Sequence, residues 1–445
     1  MKKAMKVKKA IVVLGAVLVL FGCSKDDDAP AAAQNVAPQI ENQEFSISED
    51  ATEGTVIGTL VATDSDALTY SMTTNDNDLF ALTNAGALSL ATGKALNYNI
   101  AQSHTITVAV SDGTDTTAAT ITVMVTNVDD VYAVGTEQNS TDIRIPMLWK
   151  NGEATVLPSN TANNTFVTGV DVANNGDVYV VGYEQKPTNT TVAILWKNGE
   201  ATELSNDPTK SSRANGVSIA DNGDVYVVGY DQVPVGSSFI SATTVWKNNE
   251  ATYYKDNTPA VGNAIYVSGT DVYVVGAMET SVGTIPVLWE NEEFYNLANG
   301  NTATTTAIAV SGEDVYITGH QESPNVPLLW KNGEATVLPL GTNSGGGIPR
   351  DVYVANNNGV ADVYIVGSRG SFSRFWKNNV PESGLNHIVA IHFDTVHVSG
   401  NNVYVGGTEY NTTIQKNIAT IWKNEEKIAL TDGSNNAIVN DVVVK

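Results

Sequence analysis

The chain has 445 residues, 42% of them hydrophobic, and its 48 acidic against 24 basic side chains leave a formal charge of −24. That length is too great for one ordinary domain. The charge argues against binding nucleic acid or an anionic bilayer through a folded surface, and the single cysteine, Cys23, excludes a disulfide within the chain.

Charged residues make up only 16% of the chain, and Thr, Asn and Gly are abundant. This balance suits a secreted all-β protein better than a helical enzyme. Residues 1–22 read as a leader. MKKAMKVKKA is a basic start, and IVVLGAVLVLFG is an apolar run too short for a comfortable membrane span. Its removal deletes five Lys and no acid, so the remainder is more acidic still. The context Leu20-Phe21-Gly22-Cys23 resembles a bacterial lipobox, where the small residue before Cys marks the cleavage point and the thiol receives diacylglycerol. Ser24-Lys25-Asp26-Asp27-Asp28 resembles the acidic surface-export signal of Bacteroidota lipoproteins. These resemblances imply that Cys23 is lipidated, and that the protein is anchored in the outer membrane and faces the cell exterior. An ordinary signal peptide that happens to contain a Cys is the alternative. Residues 23–36, with the run DAPAAAQ, then form the acylated Cys and a linker.

Residues 37–129 carry short alternating runs: EFSISED, GTVIGTL, VATDSDALTYS, FALTNAGALSL, LNYNI, HTITVAVSDG and ATITVMVTNVDD. With turn residues between them, they predict a β-sandwich of about seven strands. The order and spacing of these landmarks resemble a cadherin repeat over its whole length. The resemblance implies calcium, which takes about six to eight oxygens and so needs several converging acids. Asp64 and Asp66 match the family's Asp-x-Asp ligands and Asp112 the Asp after the penultimate strand, all at one end. Glu49 matches the early Glu ligand and Asp130 a linker acid, both at the other end. Two departures weaken the match. Leu96-Asn97-Tyr98-Asn99 stands where the family has Leu-Asp-x-Glu, and Gln34-Asn35-Val36 lacks the acidic linker. The alternative is that these acids are solvated loop residues in Asx turns.

From residue 130 onward one unit recurs seven times, about 40 to 50 residues apart. Its clearest copy is NGDVYVVGYEQKPTNTTVAILWKNGEATEL, residues 175–204. Its Tyr recurs as Tyr132, Tyr179, Tyr226, Tyr273, Tyr316, Tyr364 and Tyr404. Its Trp recurs as Trp149, Trp196, Trp246, Trp289, Trp330, Trp376 and Trp422, all the Trp of the chain. Each copy reads as four short strands, a to d, rich in Val, Ile, Tyr and Thr. The c–d connection keeps an Asn in every copy, often as Asn-Gly, the favoured two-residue hairpin turn. The repeat begins at strand b and ends with a lone strand a at 437–444. Joining that strand to the first copy completes a seven-bladed β-propeller with one blade shared between its ends. The expected fold is thus all-β: a cadherin-like β-sandwich at 37–129 followed by a seven-bladed β-propeller at 130–445.

Three repeated features compete as functional residues. The Trp could stack a ligand or pack between blades. The Asp opening strand b (Asp130, Asp177, Asp224, Asp271, Asp314 and Asp362, with Asn402 in the seventh copy) could form a metal ring or close the a–b turn. After strand b the copies diverge, reading GTEQ, GYEQ, GYDQ, GAME, GHQE, GSRG and GTEY at the start of long b–c loops. There Glu137, Glu184, Asp231, Arg369 and Glu409 mark an acidic candidate ligand-binding face, built from b–c and d–a loops, or else solvated decoration. The b–c loops at 182–191, 229–242 and 367–373 differ in length and charge, so this is the expected partner face.

No catalytic motif emerges. The five His lack metal-type spacing, and there is no nucleophile elbow, phosphate loop or cysteine nucleophile among the motifs. Two function classes remain. One is a non-catalytic surface protein acting in adhesion or ligand binding, with the cadherin-like domain as a calcium-binding stalk and the propeller as head for an extracellular protein or glycan. The other is a propeller-type hydrolase or lyase acting on extracellular glycans, which needs convergent acids.

Overall fold

The computed structural model describes residues 34–445 apart from 99, 127, 206, 255–257, 282, 299–301, 323–324, 341–345, 358, 370–371 and 383–390. Cys23 and the leader lie outside the described residues. Strands dominate, with one short 3-10 helix at Asp76–Asp78. No helix among the described residues is long and apolar enough to cross a membrane. The chain divides into two compact units, one ending at Val128 and the other spanning Asp129–Lys445.

In the first unit, Gln43–Ser48, Thr116–Thr126, Ser103–Ser111 and Thr69–Thr74 form a four-stranded sheet. Val56–Thr59, Ala87–Leu90 and Phe80–Leu82 form a three-stranded sheet, and Gln39–Ile40 pairs with Ala62–Thr63. The described strands exceed the expected number because two of them are only two residues long. Alternation sets the core. In Ser103–Ser111 the side chains of Ile106, Val108 and Val110 point inward, to meet Phe80, Leu88 and Leu90 of the smaller sheet. Each fully buried side chain of this kind stabilises the unit by about 1.5–3 kcal/mol.

The second unit contains seven four-stranded antiparallel sheets. The second sheet runs Thr165–Val172 (a), Val178–Gln185 (b), Thr191–Lys197 (c) and Glu200–Glu203 (d). The first takes its a strand from Ala437–Val444, which pairs with Val131–Gln138. Successive a strands pack on one another, and Ala437–Val444 packs on both Ile391–Ser399 and Thr165–Val172. Strands b and c are buried on both faces because neighbouring sheets cover them; all but the terminal Lys of Thr191–Lys197 is buried.

All seven Trp are buried, at 0–2% exposure. They pack between sheets rather than toward a ligand: Trp149 lies with Tyr404, Ala419 and Ile421 of the seventh sheet, and Trp196 with Tyr132 and Val134 of the first. Trp196 and Trp376 each donate their indole N–H to a carbonyl of a d–a loop, Pro158 at 2.8 Å and Pro339 at 2.7 Å.

The repeated Asp and Asn form a clasp. The Asn opening each c–d turn takes a left-handed conformation, as in Asn151 (φ 51) and Asn198 (φ 49). With Gly152 and Gly199 also at positive φ, the turn is of the I′ kind. Asn198 accepts the Val178 N–H at 2.8 Å and donates to Asp177 at 2.7 Å, while Lys197 pairs with Asp177 at 2.9 Å and lies over the Tyr179 ring. Asn198 and Lys197 hold the Asp177 carboxyl down to about 2. The same clasp recurs around Asp130, Asp224, Asp314 and Asp362. The Asp therefore ties strand b chiefly to the c–d hairpin rather than closing the a–b turn alone. In the seventh sheet Asn402 stands where the acid is absent, and Asp129 supplies it from the other end of the chain. Asp129 accepts from Tyr404, Asn402 and Ser399 and pairs with Lys423 at 3.5 Å.

Candidate functional site

In the first unit the candidate calcium ligands are engaged by the protein itself. Asp64 accepts the Asp66 N–H at 2.9 Å in an Asx turn. Asp112 Oδ1 accepts the N–H groups of Thr114 and Asp115, both at 2.7 Å, and the Asn35 amide bridges Asp112 and Asp115 at 2.8 Å each. The Asp115 N–H, Asn35 and the Thr114 N–H hold the Asp112 carboxyl below its ordinary value. Glu49 spends both oxygens on backbone N–H groups, those of Tyr98 and Val128, each at 2.9 Å. Asp130 belongs to the clasp of the second unit, with Lys150 at 2.8 Å. No group of three or more His, Cys, Asp or Glu that could hold a metal comes together among the described residues. This donor set does not fit a calcium cage as it stands.

The expected ligand face of the second unit begins inside strand b. The Gly that reads as the start of the b–c loop lies within the strand, which continues to Gln138 in the first sheet and Gln185 in the second. Three of the acids two residues on hold d–a loops in place, and the fourth, Glu409, holds a d strand. Glu184 is buried and accepts from Asn163 at 2.8 Å, Lys186 at 2.9 Å and the Asn160 N–H at 3.2 Å. Burial pushes its carboxyl up, but Asn163 and Lys186 carry it below its usual value. Asp231 is buried beside Ser205 and Tyr253, and burial raises it. Glu137 accepts from Asn435 at 3.1 Å, and Glu409 pairs with Lys427 at 3.0 Å. Arg369 ends its b strand opposite Phe372, and its side chain lies outside the described residues.

The repeated Gly has a different meaning, and it leads to a site the sequence reading missed. Opposite it, every a strand carries a one-residue β-bulge. A Cβ on Gly182 would stand 1.9 Å from the Phe166 carbonyl, and one on Gly229 1.9 Å from the Arg213 carbonyl. Only glycine admits that approach. The bulged residues are all polar: Thr168, Asn215, Asn263, Thr306, Arg350, Asp394 and Asn440. Together they line a cavity of about 190 Å³ among the seven a strands. Aligning the copies exposes the signal, a polar residue followed by a small or polar one and then a β-branched one, as in Asn215-Gly216-Val217 and Asn440-Asp441-Val442.

Most bulged side chains stitch one sheet to the next. Asn440 donates to the Val167 carbonyl, Thr168 to Ala214 at 2.9 Å, Asn215 to Gly262 at 2.7 Å and Asn263 to Thr305 at 2.8 Å. The series stops at Thr306, which turns to Thr318 of its own sheet at 3.1 Å. Beside that break lies a carboxyl pair. The Thr395 hydroxyl sits 3.1 Å from Asp351 and 2.9 Å from Asp441 while accepting the Val442 N–H at 3.2 Å. A hydroxyl has one proton to give, so one carboxyl must carry its own. Burial accordingly pushes Asp351 up to about 6, and burial together with Asp351 pushes Asp441 up to about 7.

The channel continues into a mouth of about 460 Å³ lined by His392, Asp394, Thr408, Tyr410, Asn417, Ile438 and Asn440. Asp394 and Asn440 belong to both spaces. Burial raises the Asp394 carboxyl, while Arg350 and His392 act to lower it. Tyr410 is exposed at the lip. Strand alternation together with the bulge thus gathers a carboxyl, an imidazole and a phenol at one opening, with the Arg350 guanidinium in the channel it joins.

Residues 43–126 match the cadherin domain family model. The cadherin-like unit also resembles the human mucin-like protocadherin EC1-2 fragment, 22% identical over 22% of this chain and 56% of that one, with a TM-score of 0.20. The chain thus spans little more than half of that fragment's length. The third cadherin domain of human protocadherin 7 is 17% identical over 23% of this chain and 95% of its own, with a TM-score of 0.20. The β-propeller domain of the trilobed protease from Pyrococcus furiosus is 10% identical over 68% of this chain and 93% of its own, with a TM-score of 0.44. No curated protein matches the chain.

Proposed function

We propose that the chain is a lipid-anchored cell-surface binding protein. Cys23 carries the acyl anchor in the outer membrane, the cadherin-like unit acts in adhesion or as a spacer, and the second unit is a seven-bladed propeller that recognises an extracellular protein or glycan at its channel mouth. The cadherin match supports adhesion or binding. One observation carries the choice of the mouth. The repeated acids and Trp of the second unit are consumed by clasps and packing, whereas Arg350 and Asp394 line the channel with no hydrogen bond or ion pair to other described residues. Charged groups that line a channel without protein partners are available to orient a ligand there. The test is capture on glycan and extracellular-protein arrays by the full chain, beside an Arg350→Ala/Asp394→Ala variant and an Asn198→Ala clasp variant. Binding should vanish in the first while its melting temperature holds. Equal loss in both would refute the mouth as the recognition site.

His392, near enough to Asp394 to influence its proton, supports a second reading, a hydrolase or lyase acting on extracellular glycans. Turnover of a polysaccharide panel, lost in His392→Ala, would favour it over binding alone. Replacing Cys23 by Ala tests the anchor: the variant should leave the membrane fraction, and retention with acyl labelling would refute it.

A further inference from the structure

The channel residues define what kind of molecule the mouth suits, an inference that rests on reading the mouth as the recognition site. The inter-sheet stitches run unbroken from Asn440 to Asn263 and stop at Thr306, and beyond it Arg350 and Asp394 project from adjacent a strands, Ile348–Asn357 and Ile391–Ser399. Arg350 is exposed to the channel and Asp394 half-buried in it. Opposite charges in one cavity ordinarily close on each other. Here no ion pair joins them within 4.0 Å, and neither makes a hydrogen bond to another described residue. The two charges share one cavity without closing on each other, which leaves each free to meet a ligand group of opposite charge. A guanidinium presents a planar fork that suits a carboxylate in bidentate fashion. A carboxylate suits an ammonium group.

The amide of Asn440, which lines the mouth together with Asp394, sharpens this preference. Asn440 uses Nδ2 on the Val167 carbonyl, which leaves Oδ1 with no hydrogen bond from the described residues. The wall near Asp394 therefore offers a second acceptor and suits a donor-bearing cation. The cavity of about 190 Å³ holds roughly six waters at about 30 Å³ each. That is room for a molecule of about half a dozen heavy atoms, with any larger part extending into the mouth toward Tyr410. We propose that the channel binds a small zwitterion of the α-amino-acid type, its carboxylate on Arg350 and its ammonium on Asp394 with the Asn440 amide oxygen.

Calorimetry and thermal shift on the full chain test this, with L-alanine as probe. N-acetyl-L-alanine, which lacks the cation, and L-alanine methyl ester, which lacks the anion, serve as controls, with glucose and calcium chloride as the other chemistries. L-alanine should bind more tightly than either blocked form by roughly tenfold, about 1.4 kcal/mol. Arg350→Gln should erase the advantage over the ester, and Asp394→Asn the advantage over the acetylated form, with the melting temperatures of the free variants unchanged. If the three alanine compounds bind alike, or if glucose or calcium binds and alanine does not, the zwitterion is wrong while the mouth stands, provided the same variants abolish that binding. If no probe binds and array binding survives in both variants, the zwitterion and the mouth fail together.

Discussion

The carboxyl pair at the channel wall gives the second unit an unusual dependence on pH, and Asp441→Asn isolates it. Asp441 lies on the a strand that completes the first sheet, and its oxygens accept from the Val170 and Val442 N–H groups and meet the Thr395 hydroxyl. Its carboxyl is raised from 3.8 to about 7 in the fold. A folded value above the unfolded one means that the protonated form is the stabilised form. The contribution is complete below about pH 4 and is lost as pH rises toward 7. At about 1.36 kcal/mol per pH unit the loss is on the order of 4 kcal/mol. Asparagine cannot ionise, but it has one acceptor oxygen where the carboxyl has two, so a backbone N–H loses its partner at a cost of about 1–3 kcal/mol. The variant should therefore be less stable than the parent at pH 4 by about 1–3 kcal/mol and level or more stable at pH 8. Urea titration followed by tryptophan fluorescence reads this cleanly, because every Trp lies in the second unit. Parallel stability profiles for parent and variant between pH 4 and 8 would show that the pair holds no shared proton.

Other outcomes follow from the turns, the closing strand and the first unit. Glu292 (φ 71) and Glu425 (φ 75) occupy the second position of c–d turns where three other copies have Gly and two have Asn, so Glu292→Gly and Glu425→Gly should each stabilise by about 0.5–1 kcal/mol in the same titration. Deleting residues 437–445 removes buried Val439, Val442, Val443 and Val444 from the first sheet. At about 1.5–3 kcal/mol per side chain the loss rivals a typical total stability, so the cooperative Trp transition should disappear; an unchanged melting curve would contradict the shared sheet. Calcium should bind the first unit no tighter than about millimolar, since Asn35 already bridges Asp112 and Asp115. Asn35→Asp should strengthen that binding in calorimetry, and equal heats for parent and variant would count against any site there.

The scaffold was far more legible in the sequence than the site. Tyr, Trp and Asn recur at fixed phase because each copy solves the same packing and turn problem, so Trp196 and Asn198 could be assigned their places from spacing alone. The Gly of strand b was misread as a loop start, because a glycine inside a strand usually weakens it. Here it admits a carbonyl from the bulged neighbour, and that requirement appears only once the a–b register is known. Arg350 and Asp394 were invisible for the same reason: a bulge is a relation between two strands, not a property of one. In the first unit the landmarks follow the cadherin order, yet Glu49 serves Tyr98 and Val128, whose N–H groups come from distant segments. No local pattern reveals such a partner.

The seam at Asp129 bears on how the protein would withstand pulling. Tension along the chain ahead of residue 129 enters the second unit at strand Val131–Gln138, which lies between Arg144–Lys150 on one side and Ala437–Val444 on the other. Asp130 and Lys445 exchange backbone hydrogen bonds at 2.9 and 3.0 Å at the point of entry. A lengthwise pull must shear two ladders together instead of peeling one bond at a time. Before that load reaches the strand, Asp129 passes part of it to Ser399, Asn402, Tyr404 and Lys423 of the seventh sheet. A pull applied ahead of residue 129 would thus load the first and the seventh sheets at once.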